Sequence, residues 1–266
     1  MDDVILITGA SAGIGLACAD RMHGLGWNVY GASRRGTSSG GWTPMVMDVD
    51  SDQSVGTGFA TLLTKHDRLD AVVACAGWGL AGAVEQTPIA DARDQLETNF
   101  WGAVRVVQRS LPIMRRQGRG RIILISSIGG IVALPFQAFY SASKFAMEGY
   151  GEALAYEVAP FNIHVTMVEP GNVRTEFTDR RRDVKPPSED GAYASTVARA
   201  IGTMAADEAN GVPPDRVAAV VQRALEASHP PRRVSVGKFD ERIGVMAKRL
   251  MPYRLFEKAA KGSLGV

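Results

Sequence analysis

Short apolar runs and longer amphipathic segments alternate along the chain. Continuous apolar runs are typical of strands buried on both faces, and apolar residues at intervals of three or four are typical of helices. The runs predict seven strands, at Val4–Thr8, Trp27–Ser33, Pro44–Val49, Leu69–Gly77, Gly120–Ser127, Phe161–Gly171 and Arg232–Gly237. The amphipathic segments predict helices at Ile14–Gly26, Asp91–Gln117, Ala138–Val158 and Pro214–Ser228. This alternation predicts an α/β fold: a doubly wound sheet, mostly or wholly parallel, with helices on both faces.

Two regions do not fit the alternation. Residues Arg174–Gly211 are too long for a simple connection, so we expect a functional insertion or a mobile loop there. The last residues, 238–266, mix apolar and basic side chains at partly helical spacing, and Pro252 interrupts any long helix. Because no linker separates these regions, we predict a single domain over residues 1–266, with an insertion at 174–211 and a C-terminal extension at 238–266.

Composition and charge exclude several classes of protein. The 266 residues are 45% hydrophobic and 22% charged, and the formal net charge of +2 is too small to indicate nucleic-acid or membrane binding. Cys18 and Cys75 lie in apolar contexts without disulfide or metal-site spacing, and the four histidines are scattered, so no metal is expected. Since no signal peptide or membrane-spanning run stands out, we expect a cytoplasmic protein.

The first predicted strand leads directly into the glycine-rich sequence TGASAGIG, Thr8–Gly15. Gly9, Gly13 and Gly15 allow a tight turn that brings the backbone close to a pyrophosphate at the N-terminus of the next helix. Strand, turn and helix in this order predict a Rossmann-type dinucleotide-binding fold.

The same turn also satisfies the nucleophile-elbow pattern of α/β-hydrolases. Gly9–Gly13 reads G-x-S-x-G around Ser11, and Asp215 and His229 follow in the order of a catalytic triad. An elbow needs earlier strands and an oxyanion-hole loop, whereas only one strand is predicted before this turn. A serine hydrolase therefore remains an alternative, but the position of the motif after a single strand argues against it.

The end of the second predicted strand indicates which dinucleotide binds. A carboxylate there would hold the ribose 2′-hydroxyl of NAD, but the chain has Ser33, followed by Arg34 and Arg35. Without the acid nothing repels a 2′-phosphate, and guanidinium groups can pair with it. The sequence therefore predicts NADP(H).

Tyr140 and Lys144 lie four residues apart in a predicted helix, so their side chains share one face. An ammonium group about 4 Å from a phenol stabilises the phenolate by around 4 kcal/mol at an effective dielectric near 20. That is enough to lower a tyrosine pKa by about three units from its usual value near 10. The spacing is common by chance, but it predicts a tyrosine that can act as general acid or base.

Seven motifs occur in the order typical of one enzyme family: TGASAGIG, MDVD at Met47–Asp50, CAG at Cys75–Gly77, Asn99, ISS at Ile125–Ser127, YSASK at Tyr140–Lys144 and EPGNVRT at Glu169–Thr175. On these motifs the chain resembles the short-chain dehydrogenase/reductase family over nearly its whole length. The segment Ser126–Gly171 is most similar to the branch of hydroxysteroid and retinol dehydrogenases and their bacterial relatives.

The resemblance implies the site residues. The catalytic set would be Asn99, Ser127, Tyr140 and Lys144: Tyr140 exchanges the proton, Ser127 hydrogen-bonds the substrate oxygen, and Asn99 binds a water that links Lys144 to solvent. The implied dinucleotide-binding residues are Gly9, Ser11, Gly13, Ile14, Gly15, Ser33, Arg34, Arg35, Asp48, Val49, Ala76, Gly77, Tyr140, Lys144, Pro170, Gly171, Val173 and Thr175.

One motif departs from the family pattern. The family usually has Asn-Asn-Ala-Gly after strand four, and this chain has Ala74–Gly77, with sequence ACAG. The glycine that makes room for the cofactor is kept, but the asparagine contacts are lost. We expect Cys75 to be a buried, inert thiol.

These features predict an NADP(H)-dependent oxidoreductase that interconverts a hydrophobic alcohol and the matching ketone or aldehyde by hydride transfer, with Tyr140 as general acid/base. Apolar or small residues at the expected pocket walls, Trp78–Val84 and Ile128–Phe136, favour a hydrophobic substrate. The resemblance also implies a homodimer or homotetramer. A dinucleotide-binding regulator without turnover is the alternative. No nucleic-acid partner is expected, and the extension is expected to pack over the pocket entrance rather than contact a membrane.

Overall fold

A computed structural model of the protein describes residues 3–37, 40–184, 191–252, 254, 255 and 257. Its centre is a seven-stranded sheet in which every neighbouring pair is parallel. Numbered along the chain, the strands of the structure are β1 (Val4–Thr8), β2 (Asn28–Ser33), β3 (Thr43–Val46), β4 (Ala71–Ala74), β5 (Leu80–Ala81), β6 (Gly120–Ile125), β7 (Ile163–Pro170), β8 (Arg182–Asp183) and β9 (Arg233–Val236). The sheet has the order β3-β2-β1-β4-β6-β7-β9, while β5 and β8 pair with each other outside it.

Helices cover both faces of this sheet. They are α1 (Gly13–Gly24), α2 (Asp52–Leu63), α3 (Ile89–Leu96), α4 (Gly102–Gln117), α5 (Ala138–Val158), α6 (Phe177–Arg180), α7 (Ala194–Ala209), α8 (Pro214–Glu226) and α9 (Phe239–Leu250). The predicted doubly wound parallel sheet of seven strands is confirmed. None of the helices in the described ranges is both long and apolar enough to cross a bilayer.

Two hydrophobic cores explain why the predicted strands are continuously apolar. Side chains of α1 and α8 pack on one face against strand residues such as Ile5 and Val73. Side chains of α2, α4 and α5 pack on the other face against residues such as Leu6 and Val72. Since successive residues of a strand point to opposite faces, a sheet covered on both sides favours apolar residues at most positions of its central strands.

The helix α2 is not predicted by the sequence pattern. Gly56 and Gly58 lower its intrinsic helix propensity. The helix forms because Ser51 caps its N-terminus, accepting a hydrogen bond from the N–H of Ser54 at 3.2 Å, and because Phe59 is buried in the core.

Within the insertion, residues 194–209 form the helix α7, which the sequence pattern does not predict. One face of this helix is buried through Val197, Ala200 and Met204. Before it, β8 pairs with β5 and ties the insertion to the loop that follows β4. The segment Lys185–Asp190 of the insertion lies outside the described residues.

Candidate active site

A cleft of about 610 Å³ opens at the edge of the sheet where the parallel strands end. Ligands of doubly wound folds bind at this edge. The predicted site residues that line the cleft are Gly9, Ser11, Gly13, Ile14, Gly15, Ser33, Arg34, Asp48, Val49, Ala76, Gly77, Asn99, Ser127, Tyr140, Lys144, Pro170, Gly171, Val173 and Thr175. Arg35 is exposed in the turn after β2 and is not among the residues that line the cleft, so of the two arginines predicted at this turn Arg34 alone does so.

The glycine-rich turn has the geometry that a pyrophosphate requires. Gly9 and Gly13 have φ angles of +69° and +55°, which favour glycine, and a Cβ on Gly15 would lie 2.3 Å from the main-chain oxygen of Gly9. No side chain caps α1 at Ala12, and the first turn of the helix carries no acidic residue. The turn therefore leaves main-chain N–H groups and the positive end of the helix dipole for an anion, which fits a dinucleotide.

The Thr8 hydroxyl shapes the wall beside this turn. Its Oγ1 accepts hydrogen bonds from the main-chain N–H groups of Cys75 at 3.0 Å and Ala76 at 3.1 Å. These bonds turn the chain out of the sheet after Ala74, where β4 ends, so the strand is shorter than predicted. Cys75 is half-buried and lines the cleft, and burial raises the pKa of its thiol to about 12, so that its inertness stays a prediction.

Asn99 lies in a π-helical turn, Glu97–Trp101, between α3 and α4, where one continuous helix is predicted. Such turns are frequent at functional sites. Asn99 is fully buried; its Oδ1 accepts from the N–H of Trp78 at 3.0 Å, and its Nδ2 donates to the oxygen of Trp78 at 3.0 Å and to Ser143 Oγ at 3.2 Å. Asn99 thus fixes the loop after β4, and its role in binding a water stays a prediction.

Ser127 and Tyr140 face each other in the cleft. Ser127 begins a short 3₁₀ turn after β6, and its Oγ accepts from the N–H of Gly129 at 3.0 Å. A Cβ on Gly129 would lie 3.2 Å from Tyr140 Cε1 and 3.3 Å from Ser127 Oγ, so the glycine lets the two side chains meet. The Ser127 hydroxyl acts on the phenol as a hydrogen-bond partner that lowers its pKa.

The pKa of Tyr140 is not lowered as predicted. Burial raises it to about 12, the Ser127 hydroxyl opposes that shift, and the Glu208 carboxylate adds to it. Lys144 Nζ lies 5.9 Å from the centroid of the tyrosine ring. The prediction neglected the cost of burying a phenolate, which here outweighs any attraction to the ammonium group. Tyr140 is therefore a neutral phenol at neutral pH.

Lys144 is buried and its ammonium group points at the sheet. Its Nζ donates to the main-chain oxygen of Ile125 at 2.8 Å. Burial lowers the pKa of Lys144 to about 8, although the nearby Cys75 thiol and Glu148 carboxylate act in the opposite direction. The ammonium form still predominates at neutral pH, next to the neutral phenol of Tyr140.

Apolar side chains that line the cleft include Trp78, Ile128, Leu134, Phe177 and Met204. The Phe177 ring meets the Tyr140 ring edge-on, with centroids 5.9 Å apart. Opposite, Glu208 is paired with Arg181 at 3.1 Å, and Arg181 also bonds Asp183 at 3.1 Å. Sequence reasoning missed Phe177 and Glu208 as site residues because no local motif marks them.

The hydrolase alternative is not supported by the arrangement of its residues. Ser11 lies at the carboxyl end of β1, in the cleft. His229 bonds the neighbouring Ser228 and lies near His164, the second residue of β7. Because the strands are parallel, the start of β7 and the end of β1 lie at opposite edges of the sheet, so Ser11 and His229 do not meet.

Comparison with known proteins agrees with this geometry. A family model described as short chain dehydrogenase matches residues 3–186. The chain belongs to the short-chain dehydrogenase/reductase family. It is 38% identical over 259 residues to a 3-ketodihydrosphingosine reductase of Bacteroides thetaiotaomicron, covering 97% of this chain and 96% of the relative. It is also 38% identical over 188 residues to human retinol dehydrogenase 8, covering 65% of this chain and 60% of that protein.

Solved structures of the family share the whole fold. A short-chain dehydrogenase from Streptomyces avermitilis has a TM-score of 0.84 and 30% identity, with 98% of both chains covered. A family member from Burkholderia phymatum in complex with NAD has a TM-score of 0.79 and 19% identity, covering 97% of this chain and 95% of that one. The family likeness makes the chain an oxidoreductase with a dinucleotide-binding fold.

Proposed function

We propose that the protein is an NADP(H)-dependent oxidoreductase that reduces a hydrophobic ketone or aldehyde to the alcohol and can catalyse the reverse reaction. The proposal rests on one observation above all: the Ser127 hydroxyl and the Tyr140 phenol face each other in the cleft that the glycine-rich turn also lines. A carbonyl oxygen seated between these two groups would be polarised and protonated from one side.

The side chains have distinct tasks in this scheme. Ser127 positions the carbonyl oxygen, and Tyr140 donates its phenolic proton to that oxygen as negative charge develops there. When bound, the reduced nicotinamide supplies the hydride that the carbonyl carbon receives. Lys144, positively charged below about pH 8, stabilises the phenolate that is left behind. Asn99 holds the loop after β4 in place through Trp78.

The neutral state of Tyr140 suits the role of proton donor in carbonyl reduction near neutral pH. A phenol with a pKa of about 12 is ready to donate a proton, whereas only a minute fraction is present as the phenolate that oxidation needs.

Arg34 supports NADP(H) as the cofactor. It lines the cleft at the end of β2, where Ser33 stands in place of an acid, and the Ser33 Oγ accepts from the N–H of Gly36 at 3.1 Å and so holds the turn. A guanidinium group at this point can pair with a ribose 2′-phosphate, and no carboxylate on Ser33 repels it.

The substrate we propose is a long-chain ketone. The Bacteroides relative is named for the reduction of 3-ketodihydrosphingosine, which is such a compound, and the identity extends over nearly both whole chains. The apolar wall formed by Leu134, Phe177 and Met204 supports an aliphatic ligand.

The proposal includes a homodimer or homotetramer in a reducing, cytoplasmic setting. Trp101 and Phe145 expose 49% and 40% of their surface on the segments that also carry Asn99 and Lys144, and large exposed aromatic side chains favour burial in a subunit contact. Cys18 and Cys75 are both free thiols. Analytical ultracentrifugation tests the assembly, and a monomer at micromolar concentration would refute it.

A substrate screen with a catalytic variant tests the function. The loss of NADPH absorbance is followed with 3-ketodihydrosphingosine, a simple long-chain ketone and a short ketone. Tyr140→Phe should lower the rate with the long-chain compounds about a hundredfold to ten-thousandfold. Tyr156→Phe, an exposed tyrosine on the same helix, should leave the rate unchanged. NADPH binding without turnover of any compound would instead support a regulator.

A further inference from the structure

The C-terminal helix α9 is anchored to both loops that frame the reacting centre. At its N-terminal end, Glu241 bonds the turn that follows β7. Two turns later, Lys248 Nζ donates to the main-chain oxygen of Ile131, just after the 3₁₀ turn that Ser127 begins, and lies 5.0 Å from the centroid of the Phe145 ring. This helix lies outside residues 3–186, the range that the family model matches.

Glu241 is the tighter of the two anchors. Its Oε1 accepts from the main-chain N–H of Asn172 at 3.0 Å and from Asn172 Nδ2 at 2.7 Å, and its Oε2 accepts from the N–H of Lys238 at 2.7 Å. The carboxylate fills space that two glycines leave open, because a Cβ on Gly171 or Gly237 would lie 2.3 or 2.2 Å from Oε2. One carboxylate thus joins the start of α9 to the turn.

The turn that Glu241 holds is part of the cleft. Gly171, Asn172 and Val173 all line it, directly after the end of β7. The two bonds to Asn172 fix both the main chain and the side chain of that residue, and bonds to an ionised acceptor are about twice as strong as neutral ones. A turn fixed in advance binds its ligand without the entropic cost of ordering it.

We propose that Glu241 is a positioning residue for dinucleotide binding, acting through Asn172 on the turn at 171–173. The inference rests on the proposed function, since the family resemblance implies that its dinucleotide contacts Gly171 and Val173 of this turn. Glu241 touches no reacting atom in this scheme; it sets the affinity for the dinucleotide rather than the rate of the chemical step.

The carboxylate also caps α9, because it accepts from the N–H of Lys238. A loss of affinity after Glu241→Ala could therefore follow from fraying of the helix alone. Asn172→Ala removes the Nδ2 bond to Glu241 and leaves the cap intact. Because Asn172 also lines the cleft, the double variant Glu241→Ala/Asn172→Ala shows whether the two residues act together: it should lose no more affinity than Glu241→Ala alone. Glu241→Gln keeps one acceptor for Asn172. Asp240→Asn makes the same change of charge in the same helical turn on an exposed side chain and is the matched control.

The experiment measures the NADPH dissociation constant from nucleotide fluorescence, together with the KM for NADPH, kcat at saturating NADPH and the melting temperature of the full chain. Glu241→Ala and Asn172→Ala should each raise the dissociation constant and KM for NADPH about tenfold, with kcat within about twofold of the wild type. Glu241→Gln should lose less affinity than Glu241→Ala, and Asp240→Asn should match the wild type.

Three results would overturn the proposal. The first is unchanged NADPH affinity in both Glu241→Ala and Asn172→Ala. The second is a loss in Glu241→Ala, with a lower melting temperature, that Asn172→Ala does not share, which would make Glu241 a helix cap only. If Glu241→Ala does not fold, Asn172→Ala and Glu241→Gln decide. The third is a wild-type protein that binds neither NADPH nor NADH. Of the three results, only this one would overturn the proposed function as well. The binding measurement can show it because it does not require the carbonyl substrate to be known.

Discussion

Lys144 Nζ donates a hydrogen bond to the main-chain oxygen of Ile125, the last residue of β6, at 2.8 Å. This bond points a buried ammonium group at the sheet and leaves it one helical turn from the phenol of Tyr140, the proposed proton donor. The burial that holds it there also lowers its pKa from 10.5 to about 8. Its charge is therefore present below about pH 8 and lost above it.

The rate of ketone reduction should fall as pH rises through about 8. Below this pH Lys144 is charged and stabilises the phenolate that forms on Tyr140; above it, kcat/KM should drop about tenfold per pH unit. Tyr140 does not titrate in this range, since its pKa is about 12. Stopped-flow measurement of NADPH consumption from pH 6 to about 10 checks the profile. Lys144→Arg keeps its charge over this range, so it should be less active but show no fall in kcat/KM above about pH 8. If the fall persists in this variant, it does not come from deprotonation of Lys144.

Alcohol oxidation should show a different profile. It needs the phenolate of Tyr140, whose fraction grows about tenfold per pH unit below its pKa of about 12. Above about pH 8 the protonated fraction of Lys144 falls by the same factor, so the two effects cancel. The rate of NADPH formation from the alcohol should therefore rise up to about pH 8 and then level off. A rate that is constant below pH 8 would show that the phenolate is not required.

The fold could be predicted because its signals are local. The strands β1, β4 and β6 are mostly apolar runs, and the helix that carries Tyr140 and Lys144 has the predicted bounds, Ala138–Val158. The helix α2 was missed because Gly56 and Gly58 weaken its sequence pattern. Its N-terminal cap and its buried face stabilise it, and these features are seen only in the folded structure.

The electrostatics of the site could not be predicted from spacing. The four-residue spacing of Tyr140 and Lys144 places the side chains on one face, but it does not show that Nζ points at the oxygen of Ile125. The spacing also does not show how deeply the phenol is buried. Glu208 lines the cleft from α7, and Glu241 on α9 contacts Asn172 in the turn after β7. Nothing near either residue in the sequence marks these contacts.

Thr8 should stabilise the fold through its two hydrogen bonds. Thr8→Val keeps the shape of the side chain but leaves the N–H groups of Cys75 and Ala76 without their acceptor, which should lower the free energy of unfolding by about 2–4 kcal/mol. Thr8→Ser restores the acceptor and should cost about 1 kcal/mol for the lost methyl group. Urea unfolding measures both. Thr61→Val, an exposed control on α2, should change stability by less than about 0.5 kcal/mol, and an equally small effect of Thr8→Val would contradict the prediction.

Arg34, and not Arg35, should determine the preference for NADPH. Arg34 lines the cleft and Arg35 does not, so Arg34→Ala should raise the KM for NADPH about tenfold to a hundredfold, the cost of losing charged hydrogen bonds, and leave the KM for NADH nearly unchanged. Arg35→Ala makes the same change of charge one residue away and should affect both cofactors little. Steady-state kinetics of each variant with NADPH and with NADH gives the KM values that test this prediction. Equal losses for NADPH and NADH in Arg34→Ala would refute a 2′-phosphate contact, and a selective loss in Arg35→Ala would place the contact on the neighbouring guanidinium group instead.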